Sequence, residues 1–467
     1  MAVSLRASKQ GLEIVDRARK KKGWAATAAI WCDTAQTTPA TLKRFRRGLS
    51  IQQDAFIGIC KAVGIENWEE IVDESPTQQT ALTVSCSVYD DNWVGREELI
   101  DQLSEKLQRS CRVLMITGIT GIGKTSLAER LVMKLEGDWT EFCLVNFENR
   151  ERLTDFASMA AELLTSWKET VTPDDRKAPQ QLLYRLVRRL REHRYLLLID
   201  SLERILKGNE ETGWSDFEDE WWERFFESLM TAEACQSRFI LTSQELPGQL
   251  EAVGLRYPNF WHCEPLTGLT EWEQLALFEK TGLEVGIESL SRSYLVRIGS
   301  AYEGHPLALR VILGEIVNQP FKGNVAAYWK KYGYEVEEVE QARQQVEVKS
   351  ADDEFKLERF TRSLQRAVKK RVGLTFERLA KDVFNAYVLL CEVSVYRRPV
   401  PEDWWLSHLE HWNCDEDQQI TALDALRDRY LVEEQDIEDE ILLRQHNLIR
   451  SVALVHLKNL TTRDQAV

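Results

Sequence analysis

Gly118-Ile-Thr-Gly-Ile-Gly123-Lys124-Thr125 is the stretch that decides the fold. It fits the pattern G-x-x-x-x-G-K-[ST]. Before it, Val113–Thr117 is a short apolar run that reads as a buried strand. After it, Ser126–Leu135 reads as a helix. Strand, glycine-rich loop and helix are the context the pattern needs. Glycines at 118, 121 and 123 let backbone N–H groups turn towards a phosphate, and the helix N-terminus adds the positive end of its dipole. In this reading Gly118, Gly121, Gly123 and Ser126 cradle phosphates. Lys124 reaches the β- and γ-phosphates, and the Thr125 hydroxyl ligates Mg²⁺.

Further apolar runs follow at Cys143–Phe147, Tyr195–Ile199, Phe239–Thr242 and Phe260–Cys263. Amphipathic stretches such as Phe156–Trp167 and Gln180–Leu190 lie between them. Continuous apolar strands alternating with helices predict a parallel sheet covered on both faces. The fold class expected is therefore α/β, a P-loop NTPase core. In Tyr195-Leu-Leu-Leu-Ile-Asp200 an acid stands where a buried strand emerges, so Asp200 is the expected Mg²⁺ partner. Glu203 follows and is placed to polarise water; it also reads as a first-turn acid favoured by a helix dipole. Lys124, Asp200 and Glu203 form the expected catalytic set.

Beyond residue 268 the strand alternation stops. Residues 270–330 read as helical, 335–370 as a charge-rich helical connection, and 372–460 as helices with one hairpin, Leu431–Leu443, around the acidic turn Asp436–Glu440. Trp221, Trp222, Phe225, Phe226 and Leu229 share one helical face, read as the core side of a helix. The acidic loop Gly208–Glu220 reads as a lid over the nucleotide.

Residues 5–72 read as short helices, the second over Trp24–Cys32. The third is marked by Thr38 as N-cap and Pro39 as first helical residue. Residues 74–92 read as a linker. Residues 1–50 hold 11 Lys and Arg against three acids, a charge of +8, whereas the whole chain carries −15; residues 51–467 therefore hold −23. A basic head on an acidic body points to a polyanion partner, or to the two parts meeting each other. Thr41, Lys43, Arg44, Arg46 and Arg47 form the exposed side of the third helix, with the pattern of a recognition helix. Small adaptor domains share that pattern, so DNA and an acidic protein effector are both open as partners. Arg17, Arg19 and Lys20–Lys22 add a second basic run.

Nine cysteines without a C-x-x-C pair argue against a disulfide framework and against zinc. His305, His408, His411 and His456 show no metal-ligand spacing. No apolar run approaches a membrane span, and Met1–Arg6 lacks a signal-peptide core, so a cytoplasmic, membrane-free protein is expected.

Several segments resemble one family. Trp93-Val94-Gly95-Arg96-Glu97, Ser237–Gln244, Leu266–Glu271, Gly304-His305-Pro306-Leu307 and Gln445-His446-Asn447 are similar, in order, to motifs of the NB-ARC group of STAND-class ATPases. The resemblance covers about residues 92–460. Residues 1–75 read by themselves as a helix-turn-helix-like head and 76–92 as a linker; the resemblance implies a P-loop domain (93–267), a helical domain and connection (268–370) and a winged-helix domain (371–467). It implies that Val94 and Arg96 border adenine, that Pro306 packs at the base, and that His446 reaches the β-phosphate of ADP. The implied function is an ADP/ATP switch with slow hydrolysis that self-associates in its ATP state. Three departures weaken hydrolysis: Gln244 for the sensor arginine, Asn447 for the usual aspartate, and Ser201 for a second acid beside Asp200. The family commonly continues into a repeat sensor that this sequence does not carry. The expected trigger therefore binds the existing domains or comes from a partner.

Overall fold

The computed structural model describes residues 4–22, 24, 29–35, 37, 39–46, 51–72, 93–135, 137–148, 155–209, 213–349, 356–437 and 440–464. The expected linker, Thr38 and Arg47 lie outside them. The chain divides into two compact units, residues 1–83 with 437–440, and 84–436 with 441–467.

The head begins with β1 (Ser4–Leu5) and α1 (Lys9–Lys21). It continues through α2 (Ala29–Ala35), α3 (Pro39–Arg46), β2 (Ile51–Gln52) and α4 (Gln53–Ala62), and closes with a 3-10 turn, Trp68–Ile71. The helices expected from sequence thus gain a short antiparallel pair, Ser4 opposite Gln52. Of the second helix, the described part is α2, which runs to Ala35, three residues beyond the end read from sequence. Trp24 is not helical; its ring lies 6.5 Å from Trp31. Trp31, Leu42, Phe45, Phe56 and Ile59 fill the core. A Cβ on Gly58 would stand 2.5 Å from the Ala35 carbonyl oxygen, so glycine sets how closely α4 meets α2.

The second basic run is partly structural. Arg19 is buried and donates to the Trp24 carbonyl, and Lys22 Nζ donates to the Ala62 carbonyl at 2.8 Å. Both bonds tie parts of the head together, with Arg19 buried and Lys22 exposed.

The larger unit starts with α5 (Glu97–Gln108), then β3 (Val113–Thr117), α6 (Lys124–Lys134), β4 (Glu141–Asn146), α7 (Phe156–Ser166), α8 (Pro179–Glu192) and β5 (Tyr195–Asp200). A hairpin, β6 (Leu206–Asn209) and β7 (Gly213–Phe217), leads to α9 (Glu220–Thr231), β8 (Arg238–Ser243), α10 (Gly248–Arg256) and β9 (Trp261–Pro265). Strands β3, β4, β5, β8 and β9 form a parallel sheet in the order β4-β5-β8-β3-β9. Alternation within each strand divides its residues between two layers. Val113, Met115, Leu197, Ile199 and Phe239 pack towards α7, α8 and α9. Leu114, Ile116, Leu196, Leu198 and Ile240 pack towards α5 and α6. Both faces are covered, which is why the strands read as unbroken apolar runs. The face of α9 is core as expected: Trp222, Phe225, Phe226 and Leu229 are fully buried.

The described residues of the expected lid belong mostly to the β6–β7 hairpin. Leu206 pairs with Phe217, and Phe217 is buried against Phe226 at 5.9 Å. Its polar composition hides one anchoring aromatic.

The remainder is helical: α11 (Glu271–Lys280), α12 (Leu290–Ala301), α13 (Pro306–Val317), α14 (Val325–Lys349), α15 (Lys356–Asp382), α16 (Phe384–Glu392), α17 (Glu402–Glu410), α18 (Glu416–Asp428) and α19 (Asn447–Asp464). A small sheet, β10 (Val400–Pro401), β11 (Glu433–Ile437) and β12 (Glu440–Arg444), is ordered β10-β12-β11. One apolar core runs through this whole region. The expected connection at 335–370 is part of it: Val336, Val368 and Val372 are buried, and α15 runs across the boundary expected at 370/371. Among the described residues no helix is long and apolar enough to cross a membrane, and the eight described cysteines are free.

Candidate nucleotide site

The loop between β3 and α6 carries positive φ at Gly121 (+85°) and Gly123 (+97°), a backbone region that favours glycine. A Cβ on Gly121 would stand 2.9 Å from both His305 Cε1 and Leu307 Cδ2. One on Gly123 would stand 2.9 Å from an Arg96 guanidinium nitrogen. These glycines therefore provide a phosphate cradle and also let two other segments press against it.

Lys124 Nζ donates to the carbonyls of Gly118 (2.8 Å) and Ile119 (3.1 Å). Burial pulls its pKa down, opposed by Glu203 and Asp200. Thr125 Oγ1 donates to Asp200 Oδ1 at 2.8 Å. Asp200 also accepts from Thr242 Oγ1 on β8 at 2.5 Å and from Asn146 Nδ2 on β4 at 3.0 Å. Three donors from separate elements hold one buried carboxylate at the sheet's end. Thr125 and Asp200 present hard oxygen atoms side by side, a donor set that suits Mg²⁺, which keeps most of its waters. The cradle and this pair fit a magnesium nucleotide.

Ser201 follows in the left-handed region (φ +64°) and turns the chain into a 3-10 turn, Leu202–Ile205. Glu203 is buried there. Burial raises its pKa, while Lys124 counters the rise. Both its oxygens accept from Gln244, at 3.2 Å from the backbone N–H and 3.3 Å from Nε2. A carboxyl held in place with a raised pKa is suited to taking a proton from water. Arg204 on the same turn donates two bonds, 2.7 and 2.6 Å, to Glu148.

Arg96 caps α5 with φ +65°. Its N–H donates to Glu273 Oε1 at 2.6 Å, and its guanidinium donates to the carbonyls of Ile122 (3.0 Å) and Thr267 (2.9 Å). Burial lowers its pKa to about 10, opposed by Glu273. It stays charged at neutral pH and ties the phosphate loop to the start of α11.

From the other side comes α13. His305 is its N-cap: Nδ1 accepts from the Ala308 N–H at 3.3 Å. The ring proton therefore sits on Nε2, which donates to the Thr120 carbonyl at 3.0 Å. Pro306 is the first helical residue, and the Leu307 N–H reaches the Gly121 carbonyl at 3.4 Å. His446 precedes α19. Its Nδ1 accepts from the Leu448 N–H at 3.2 Å, so its proton also sits on Nε2. Burial lowers its pKa, with Glu433 opposing, so the ring is neutral and Nε2–H is its donor.

These segments enclose one cleft whose empty space, mouth included, is about 1270 Å³. Lys124, Thr125, Ser126, Asp200 and Glu203 line its phosphate end. Val94, Arg96, Pro306 and His446 line it too, as do Gly121 and Gly123. Gly118 lies behind, accepting from Lys124. On α3 of the head, Thr41 is half-buried and Arg46 exposed; Lys43 and Arg44 are placed on the helix only. Residues singled out by sequence for other reasons, or not at all, also matter: Asn146, Thr242, His305, Glu433 and Arg444. Asn146 stands in register with Asp200 on the neighbouring strand, which only the strand pairing reveals.

Residues 92–224 match the AAA ATPase domain family. That match agrees with the cradle and the Thr125–Asp200 pair. The chain is 27% identical over 372 residues to an uncharacterized WD repeat-containing protein of Nostoc sp., covering 70% of this chain and 29% of that protein. It is 25% identical over 154 residues to a disease resistance protein of Arabidopsis thaliana, covering 31% of this chain and 13% of the other. It spans less than a third of the length of these relatives. Among solved structures it is similar to a STAND protein with a tetratricopeptide repeat sensor from Pyrococcus horikoshii, with 15% identity, 78% of this chain and 42% of that chain covered, and TM-score 0.44. Among the described residues no group of three or more His, Cys, Asp and Glu is placed to hold a metal ion.

Proposed function

We propose that this chain is a nucleotide-controlled switch of the STAND, NB-ARC-like type. ADP holds it closed; ATP favours an open, self-associating form. The observation that carries this is the shared cleft. The phosphate loop, Pro306 on α13 and His446 before α19 all line it, so one nucleotide would touch segments far apart in sequence. Different fits to ADP and ATP would then shift the balance of shapes. Hydrolysis is slow, because Gln244 brings no charge to the terminal phosphate and is engaged with Glu203. The head supplies the output, through DNA or an acidic effector protein, with Thr41, Lys43, Arg44, Arg46 and Arg47 as its contact side. If DNA is the partner, affinity falls with salt at a slope of about −0.9 per neutralised phosphate.

The His446 Nε2–H is the donor available to a β-phosphate. Losing a hydrogen bond to a charged group costs about 1.5–3 kcal/mol. His446→Ala should therefore release fluorescent ADP about 10- to 150-fold faster in stopped flow, and light scattering with ATP should show larger particles. Unchanged release would remove the support for a switch while leaving the phosphate site intact.

A further inference from the structure

Glu433 opens β11 and Arg444 ends β12, so the two stand at the open end of the same hairpin. Arg444 Nε donates to Glu433 Oε2 at 2.6 Å. Both side chains line the nucleotide cleft, and Gln445, His446 and Asn447 follow directly. Arg444 also lies in the fields of Glu129, one turn beyond Thr125 on α6, and of Asp200. Its charge is therefore within electrostatic reach of the Thr125–Asp200 end of the cleft.

The other groups at this end are already engaged. Lys124 is folded onto the Gly118 and Ile119 carbonyls, and Gln244 is neutral and bonded to Glu203. Glu433 feels His446 and Arg310 as well as Arg444. Losing Arg444 would leave it the charge of Arg310 rather than none. An exchange of partner is thus possible without stranding a carboxylate in a poorly solvated place.

We propose that Arg444 is the cation that recognises the terminal phosphate of a nucleoside triphosphate, and that Glu433 holds it in reserve until that phosphate competes it away. This rests on the reading of the cleft as a nucleotide site. Arg444 supplies from the C-terminal sheet the charge that Gln244 lacks. Guanidinium binds phosphate through two parallel N–H donors, so the phosphate gains a partner of matching geometry. Because Arg444 ends β12, its movement pulls on the hairpin that leads to His446. The number of phosphates is read by the segment that carries His446.

The test measures affinities for a non-hydrolysable ATP analogue and for ADP, with Mg²⁺, in the full chain. Arg444→Gln should weaken the analogue about 10- to 150-fold, the loss of a hydrogen bond to a charged group, and change ADP by about threefold or less. Glu433→Gln should strengthen the analogue several-fold, because the competitor is gone. Arg444→Lys should recover part of the preference for triphosphate. A purely structural pair would give the opposite: both variants would weaken both nucleotides in parallel, and the assignment would be overturned. Equal losses for ADP and analogue in Arg444→Gln, or no loss for either, would also overturn it. Lys124→Ala separates the two readings, since normal binding there removes the nucleotide site itself. Thermal unfolding of each variant confirms that the fold is kept.

Discussion

Two of the charge clusters in the larger unit differ in what they leave unfinished. One joins α13, α14 and α15. Arg371 bonds Glu315 and Glu335, and Arg378 bonds the same two carboxylates. Thr375 Oγ1 donates to Glu315 at 2.6 Å, and Tyr328 adds its hydroxyl at 3.3 Å. Arg371 is 1% exposed and Glu335 6%. Burial works against the charge of Arg371, but Glu315 and the other anions around it outweigh that and leave its pKa raised. Two cations meet two anions, so the charges balance within the cluster, and only a small cleft of about 360 Å³ borders Glu315, Thr375 and Arg378. The other cluster surrounds the nucleotide cleft. It has the same residue types, but Arg444 and Glu433 are 23% and 33% exposed, and Lys124 has only carbonyl partners. The first cluster is closed and serves the fold. The second surrounds a space whose donors and cations suit a phosphate chain.

The largest effect should come from opening the closed cluster. Removing one partner of a buried ion pair costs about 3–5 kcal/mol, because the remaining charges are left buried. Arg371→Ala should lower stability by that amount in denaturant unfolding. A loss under about 1 kcal/mol would mean the quartet is solvated and the contrast is false.

In the open cluster, chemistry rather than stability should suffer. Asp200→Asn should leave ADP able to protect the protein, by about 2.7 kcal/mol at a concentration 100-fold above its Kd. Mg²⁺-dependent hydrolysis should fall about 100-fold or more, equivalent to about 2.7 kcal/mol in the barrier. Protection by ADP and turnover of ATP, measured on the same variant, check both halves.

The smallest effect concerns His305, which joins the cleft to the packed helices. Burial pulls its pKa to about 3, opposed by the Thr120 carbonyl and aided by His446 and Lys124. The folded state therefore resists protonation that the unfolded chain accepts near pH 6.5. Unfolded chains bind more protons between those values, so stability falls as pH drops below about 6.5, by at most about 1.4 kcal/mol per unit. His305→Asn keeps a capping side chain for α13 but removes this proton. It should flatten the slope of unfolding free energy between pH 6.5 and 5 relative to the unchanged protein.

The same contrast explains what the sequence disclosed. Continuous apolar strands and the glycine-lysine pattern are local, so the sheet, the cradle and Asp200 could be read directly. Asn146 and Thr242 are ordinary polar residues until strand order places them on either side of Asp200. Glu433 and Arg444 are eleven positions apart and meet only through hairpin register. Arg371 reads as one more charge in a basic helix, since its partners lie on α13 and α14. The β6–β7 hairpin was hidden because Phe217 anchors it within an acidic stretch. In each case the missing information is a long-range contact, which composition and periodicity do not carry.

The central claim is that the open cluster is a nucleotide site built on Lys124. Calorimetric titration of the full chain with ADP and Mg²⁺ tests it most directly, with Lys124→Ala as the paired sample. The account predicts one ADP per chain and no measurable heat of binding in the variant. Saturable binding of equal affinity in both proteins would contradict it.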